Sequence, residues 1–351
     1  MLTETAVPAA MSSPGKTARL RVGVIGLGVG RQHLAGYLLH SGCEVVAVAD
    51  FDAEKLAAVG REHPEIATTS SAADVLTDPS IEVVSIASFD ADHFEQVMAG
   101  LAAGKHLFVE KPLCQSFTQL DAIRAAWAAR PKPVGLVSNL VLRTAPVFGW
   151  LRAEVQAGRF GRPYAFDGDY LYGRIGKITA GWRGQTPGYS VMAGGGIHLV
   201  DLMLWITGER PARVTAVGNR ICTAGTAFRE ADFVAATYEF PSGLVGRISA
   251  NFGCVHGHQH VVRFFGTEAT FVSDDRGPRL QRHRDPAPPA EAVSLAPLPA
   301  AKHALIGPFL DDLAAGRDTT AATRHDVTVL AACLAADESL RTGRPCEIPA
   351  P

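Results

Sequence analysis

The sequence predicts a doubly wound parallel α/β domain followed by an α+β domain built on a large, mostly antiparallel open sheet. Continuous apolar runs alternate with helical spacing through the first 140 residues, the pattern of parallel strands covered on both faces. A glycine cluster, Gly26-Leu27-Gly28-Val29-Gly30, falls where the first run gives way to the first helix. Beyond about Asn139 the apolar period shortens to two, as in a mixed or antiparallel sheet.

In order, residues 19–25 read as the first strand, and the helix after them carries Leu34, Tyr37 and Leu38. A second buried strand spans 44–50. Helices at 53–61 and 72–76, a strand at 83–87, a helix from about 92 to 103 and a strand at 106–109 continue the alternation. In the second half, strands are expected at 164–172, 213–217, 233–240, 244–252 and 260–265, interrupted by one strong helix at 197–207. The proline-rich stretch 278–299 reads as an irregular loop, and the last fifty residues return to helical spacing.

At 351 residues the chain exceeds what one core usually organises. Residues 19–140 are expected to form the first domain and 141–351 a second that binds substrate and oligomerises. Residues 1–18 lack the cationic and apolar regions of a secretory signal and read as a disordered leader.

Composition narrows the class. With 47% hydrophobic and 19% charged residues and no long apolar stretch, the chain is globular rather than membrane-spanning. Its 33 basic and 35 acidic side chains sum to −2 without a basic stripe, which argues against nucleic acid as a partner. Six scattered cysteines (Cys43, Cys114, Cys222, Cys254, Cys333, Cys346) form no C-x-x-C pair, which speaks against a zinc ribbon and for a reducing, cytoplasmic compartment. An open sheet needs its exposed face covered, so a homodimer or homotetramer is expected.

The glycines suggest a cofactor. Gly26 and Gly28 sit at a strand-to-helix turn, where unhindered φ and close backbone approach let a pyrophosphate meet helix amides, as in a Rossmann domain. The spacing is imperfect, because Gly30 precedes the position of the usual third glycine, here Arg31. Asp50 closes the second strand, where a carboxylate accepts bonds from ribose hydroxyls and repels a 2′-phosphate. NAD is therefore expected over NADP, with Asp52 and Lys55 nearby.

Read in order, residues 22–33, Asp50, the run Ser88-Phe89-Asp90-Ala91-Asp92-His93 and the run from Gly104 to Glu110-Lys111-Pro112 resemble the glucose-fructose oxidoreductase and inositol dehydrogenase (Gfo/Idh/MocA) family. The resemblance continues through Trp182-Arg183, Gly196-Ile197-His198-Leu199-Val200-Asp201, Phe265-Gly266-Thr267 and residues 338–344, and so covers about 20–348. It implies that His33, Ser88, His93, Glu110, Lys111 and Pro112 join Gly26, Gly28, Gly30 and Asp50 at the cofactor, with Lys111 beside the nicotinamide. It also implies that His198 is the histidine of an Asp-x-x-x-His pattern, whose aspartate position is Gly194 here. Without that carboxylate, nothing in the motif orients the imidazole.

A polar and aromatic set precedes that helix: Tyr170, Tyr172, Arg174, Lys177, Trp182, Arg183 and Tyr189. Aromatic faces pack on sugar C–H groups while cations and phenols donate hydrogen bonds, so Tyr170, Tyr172, Arg174, Lys177, Trp182 and Arg183, with Asp201 of the helix, are the candidate substrate residues. The same cations suit a phosphate or uronate. His256, His258 and His260 alternate as metal ligands would, but no cysteine or acid completes a site and no metal is expected. Arg143 reads equally well as part of a structural salt bridge near the domain junction.

The family implies hydride exchange between NAD and a secondary hydroxyl, or ketone, of a sugar or nucleotide-sugar, with His198 as general base and Lys111 stabilising alkoxide charge. The glycine at 194 leaves two other outcomes open. One is epimerisation or elimination with no net NADH release; the other is a non-catalytic dinucleotide-sensing role.

Overall fold

The computed structural model describes residues 19–350 apart from 286 and 300, so the expected leader lies outside the described residues. The first half contains β1 (Leu20–Ile25), α1 (Gly30–Leu38), β2 (Cys43–Ala49), α2 (Ala53–Glu62), β3 (Ala67–Thr69), α3 (Ala72–Thr77), β4 (Val83–Ile86), α4 (His93–Ala102), β5 (His106–Val109), α5 (Phe117–Ala128) and β6 (Leu136–Ser138). Its six strands are all parallel in the order β3-β2-β1-β4-β5-β6. The chain reverses direction across the sheet between β1 and β4, and the crevice at the carboxyl ends of those two strands is where such folds bind ligands.

The apolar runs become strands because both faces are covered: Val22, Val24, Val83, Val84, Ile86, Leu107, Phe108 and Val109 are buried. Each such side chain contributes roughly 1.5–3 kcal/mol on transfer from water. Helix starts follow local chemistry, with Asp52 accepting the amides of Glu54 and Lys55 and Ser116 accepting that of Gln119. Three elements were not anticipated: β3, a three-residue Ala-Thr-Thr strand, β6, and α5 between β5 and β6.

The second half runs α6 (Pro146–Gln156), β7 (Pro163–Leu171), α7 (Gly176–Thr179), α8 (Ile197–Thr207), β8 (Arg213–Asn219), β9 (Phe233–Glu239), β10 (Val245–Asn251), β11 (Gln259–Gly266), β12 (Thr270–Asp274), β13 (Gly277–Gln281), β14 (Glu291–Ala292), α9 (Ile306–Ala314), α10 (Thr320–Thr342) and β15 (Cys346–Glu347). Nine strands form one sheet in the order β14-β13-β12-β11-β7-β10-β9-β8-β15, antiparallel except for the β7–β10 pair.

One face of this sheet packs on α8 and α10, with Val214, Ala216, Ile248 and Ala250 turned inward. The other carries a charged ladder in which Arg247 pairs with Asp167 and Arg263 with Asp169. That division is the source of the period-two alternation. The stretch 278–299, expected to be irregular, is corrected in part. Its prolines do not prevent pairing, because β13 and β14 are outer strands where Pro278 has no ladder partner to lose on one side.

Helix α10 also reaches the first sheet, where its Asp326 carboxylate accepts the Ser138 amide of β6 at 2.7 Å. Among the described residues, no helix is long and apolar enough to cross a membrane.

Candidate active site

The glycine turn at the end of β1 fits a dinucleotide. Gly26 has φ +84°, and a Cβ there would lie 2.4 Å from the Ala87 carbonyl oxygen, so only glycine lets β1 turn beside β4. At Gly28 a Cβ would meet nothing within 4 Å, leaving the backbone open to a ligand. The first turn of α1 carries no acidic residue and no side-chain cap, so a pyrophosphate can approach its N-terminus. A crevice of about 290 Å³ opens here, lined by Gly26, Gly28, Asp50, Phe51, Ser88 and Phe89 among others.

Asp50 is buried and also structural: its carboxylate accepts the Leu27 amide at 2.5 Å and the Asp52 amide at 2.8 Å. It thereby clamps the glycine turn to the end of β2.

Not every expected cofactor residue reaches the crevice. Gly30 serves packing, since a Cβ would stand 3.1 Å from that of Ala87. His33 is fully buried and bonds Ser85 (2.9 Å) and Glu110 (3.1 Å). His93 is likewise buried and bonds the Pro112 and Ser88 carbonyls at 2.6 and 3.3 Å. These three are corrected from crevice-lining contacts to supports: Gly30 lets α1 pack on Ala87, and the two imidazoles cross-brace the ends of β4 and β5. The Lys111–Pro112 peptide between them is cis, and Pro112 faces a neighbouring cavity shared by the two halves.

Val29 and Ser88 line both the crevice and a larger cavity of about 490 Å³ between the two sheets. Glu110, Lys111, Tyr170, Tyr172, Arg174, Arg183 and His198 all line this cavity. Lys111 Nζ donates to the Gly194 carbonyl at 2.8 Å. Burial lowers its pKa from the ordinary lysine value, and Asp90 and Glu110 partly restore it. Burial would raise Glu110, but the His33 bond, the Lys111 charge and Asn139 hold it at about 2.

His198 sits at the second position of α8, just after a π-helical turn at Met192–Gly196. Only 8% of its surface is exposed and its Nδ1 has no partner among the described residues. Burial first, then Lys111 and His260, push its pKa well below the usual histidine value. The imidazole is therefore neutral, the form a general base requires. This fixes the pH profile. Oxidation kcat/KM is expected to show no inflection near the ordinary histidine value of about 6.5, to fall on the acid side only well below it, and to fall on the alkaline side below the ordinary lysine value as Lys111 loses its proton. An inflection near the ordinary histidine value in an initial-rate pH series would place His198 in solvent instead.

Two substrate expectations are corrected. Asp201 is fully buried and bonded to Arg143 and His325, because it faces into the helix layer rather than the cavity. Lys177 lies on short, exposed α7, off the cavity wall. Trp182 stacks on Phe89 at 5.1 Å, joining the substrate loop to the rim of the crevice.

The reading of the sequence also missed residues. His258 and His260 line the cavity with rings 4.7 Å apart, packed around Tyr170 and Tyr172, whereas His256 turns away toward Asp275. Their alternation was a real signal, of cavity lining by two of the three. Burial lowers both, His260 to about 3, so they offer neutral imidazoles. Asp90, Asn139 and Lys302 complete the wall; Lys302 comes from the segment after β14, which folds over the site.

Crevice and cavity together define a two-part oxidoreductase: a dinucleotide on the parallel sheet, a polar substrate against the mixed one. The chain belongs to the Gfo/Idh/MocA oxidoreductases, matching the family model "Oxidoreductase family, NAD-binding Rossmann fold" over residues 20–136 and that of the GFO/IDH/MocA C-terminal domain over 148–272. It is 30% identical over 243 residues to 1,5-anhydro-D-fructose reductase of Ensifer adhaerens, covering 66% of this chain and 69% of that one. It is 25% identical over 297 residues to myo-inositol 2-dehydrogenase of Thermotoga maritima, covering 76% and 84%. The fold is also that of levoglucosan dehydrogenase in complex with NADH and levoglucosan, with a TM-score of 0.82 at 22% identity over 94% of this chain and 99% of that one.

Proposed function

We propose that this protein reversibly oxidises a secondary hydroxyl of a sugar that carries an anionic substituent, using NAD in preference to NADP. The observation that carries this reading is the shared wall: the cofactor crevice opens through Val29 and Ser88 into the cavity that holds Lys111 and neutral His198. When bound, the nicotinamide supplies hydride acceptance. Of the chain's own residues, His198 takes the hydroxyl proton and Lys111, a fixed cation in a water-poor cleft, stabilises the oxygen as charge develops. Tyr170, Tyr172 and the paired imidazoles offer faces and hydrogen bonds to a polyhydroxylated ring.

The relatives' names concern inositols and anhydrosugars, which are neutral. The cavity here is not: Arg174, Arg183 and Lys302 line it in addition to Lys111, against Asp90 and Glu110. Arg174 and Arg183 are held over Tyr172 and Trp182 rather than over carboxylates. That field favours a uronate, a sugar phosphate or a nucleotide-sugar. Asp50 lines the crevice at the end of β2, where the ribose hydroxyls would lie, with Lys55 as its counter-charge, which supports NAD.

The test is a panel of neutral cyclitols and anhydrosugars, uronates, sugar phosphates and nucleotide-sugars, followed at the NADH absorbance. An anionic member is expected to be turned over best, and Arg183→Gln to raise its KM about tenfold, the loss of one charge-assisted bond. A best substrate that is neutral overturns the anionic class, and product formed without stoichiometric NADH overturns net oxidation. The six unpaired cysteines, three of them buried, support a cytoplasmic location, and the exposed charged ladder of the second sheet a homodimer or homotetramer.

A further inference from the structure

Gly194 presents a backbone carbonyl to Lys111 but no side chain to the cavity. The volume that a side chain would use is already filled. A Cβ built at Gly194 would lie 2.2 Å from the Tyr189 hydroxyl oxygen and 2.7 Å from the ring carbon that bears it. No Cβ survives such a contact, so the missing side chain at 194 and the phenol of Tyr189 are alternatives for one place. We propose that Tyr189 is a catalytic group of this enzyme, its hydroxyl donating a hydrogen bond to the reacting oxygen of the substrate beside Lys111.

Three further observations bear on this. The ring is held rigidly: only 2% of Tyr189 is exposed, and it meets Trp182, Phe228 and Phe252 with centroids 6.3–6.4 Å away at steep angles. It lines the cavity alongside Lys111 and His198, and Arg183 lies beside its hydroxyl. Burial raises its pKa far above the ordinary tyrosine value, so it remains a protonated donor at every working pH.

The chemistry gives such a donor a purpose. As the substrate proton leaves for His198 and the C–H electron pair leaves as hydride for the nicotinamide, negative charge grows on the oxygen. A neutral O–H aimed at that oxygen strengthens its bond as the charge rises, and the Tyr189 O–H bond itself never breaks. Gly194 lies within a π-helical turn, Met192–Gly196, a feature that recurs at functional sites.

The inference rests on the oxidation proposed above and is tested with whichever panel member the wild-type enzyme turns over best. Tyr189→Phe preserves the packing and removes the hydroxyl. It is expected to lower kcat about 100-fold with KM changed less than about threefold and the thermal midpoint unchanged. Tyr189→Ala combined with Gly194→Asp restores an acid to the emptied place. This pair is expected to exceed Tyr189→Ala alone at least tenfold in kcat and to gain an acid limb in its pH profile, whereas Gly194→Asp alone loses both stability and activity. Wild-type kcat and pH profile in Tyr189→Phe would overturn the tyrosine's role and leave the proposed function standing. Equal effects of Gly194→Asp in both backgrounds would overturn the shared-place argument. A wild-type enzyme inactive on every class in the panel would sink the oxidation itself, and the tyrosine's role with it.

Discussion

Lys111→Ala is expected to lower kcat/KM about 1000-fold, roughly 4 kcal/mol of transition-state stabilisation. The lysine reaches the cavity from the end of β5, and its position is fixed from both halves of the molecule. Glu110, cross-braced by His33 and Asn139, anchors the preceding residue, and the Gly194 carbonyl holds Nζ. Calorimetry should still detect NAD binding within about tenfold of wild type, or 1.4 kcal/mol, because the pyrophosphate site at Gly26 and Gly28 is untouched. Lys111→Arg should not rescue turnover, since a planar fork cannot replace a point charge in a site built to a single ammonium. Turnover of Lys111→Ala within tenfold of wild type would remove the lysine from the chemistry.

The second large effect is on stability. Arg143 donates to both oxygens of Asp201 at 3.0 Å and to one oxygen of Asp326 at 2.6 Å, and both carboxylates are fully buried. Burial alone would raise the Asp201 carboxyl, but Arg143 and His325 outweigh it and keep the group below the usual carboxylate range. Asp326 in turn accepts the Ser138 amide, so this one guanidinium ties β6 of the first sheet to α8 and α10 of the second half. Arg143→Met would leave the buried Asp326 without a cationic partner and Asp201 with His325 alone, and a loss of about 3–5 kcal/mol in unfolding free energy is expected. Denaturant titration measures it; a loss under 1 kcal/mol, typical of exposed pairs, would show that water reaches the cluster. His198 stands one turn before Asp201, so the same variant should also loosen the base.

Much of this was legible in the sequence for a local reason. The apolar runs predict the parallel strands because burial on both faces leaves no polar side. The glycines at 26 and 28 mark a turn that a Cβ would block at Gly26 and that lies open to a ligand at Gly28. Lys111 is placed by the strand immediately before it, and His198 by the helix it begins. The place of Asp50 at the end of the neighbouring strand was legible, but its clamp on the glycine turn, made by buried bonds to backbone amides, was not.

What the sequence by itself determined is therefore the cofactor domain and the two groups, Lys111 and His198, that lie at ends of regular elements of the two halves. The tertiary structure alone decided how the substrate cavity is furnished. Asp201 looks like a site residue by its spacing from His198, yet Arg143 and His325 draw it into the helix layer. His256, His258 and His260 are alike in pattern, but the strand begins only at Gln259, and the turn before it sends His256 away and the other two inward. Lys302 reaches the cavity from the segment beyond β14. Tyr189 and Gly194 are five residues apart with no motif between them, and only the folded chain sets the hydroxyl of one in the space left by the other. These placements depend on which surfaces meet after the sheets have formed, and no local periodicity encodes such a meeting.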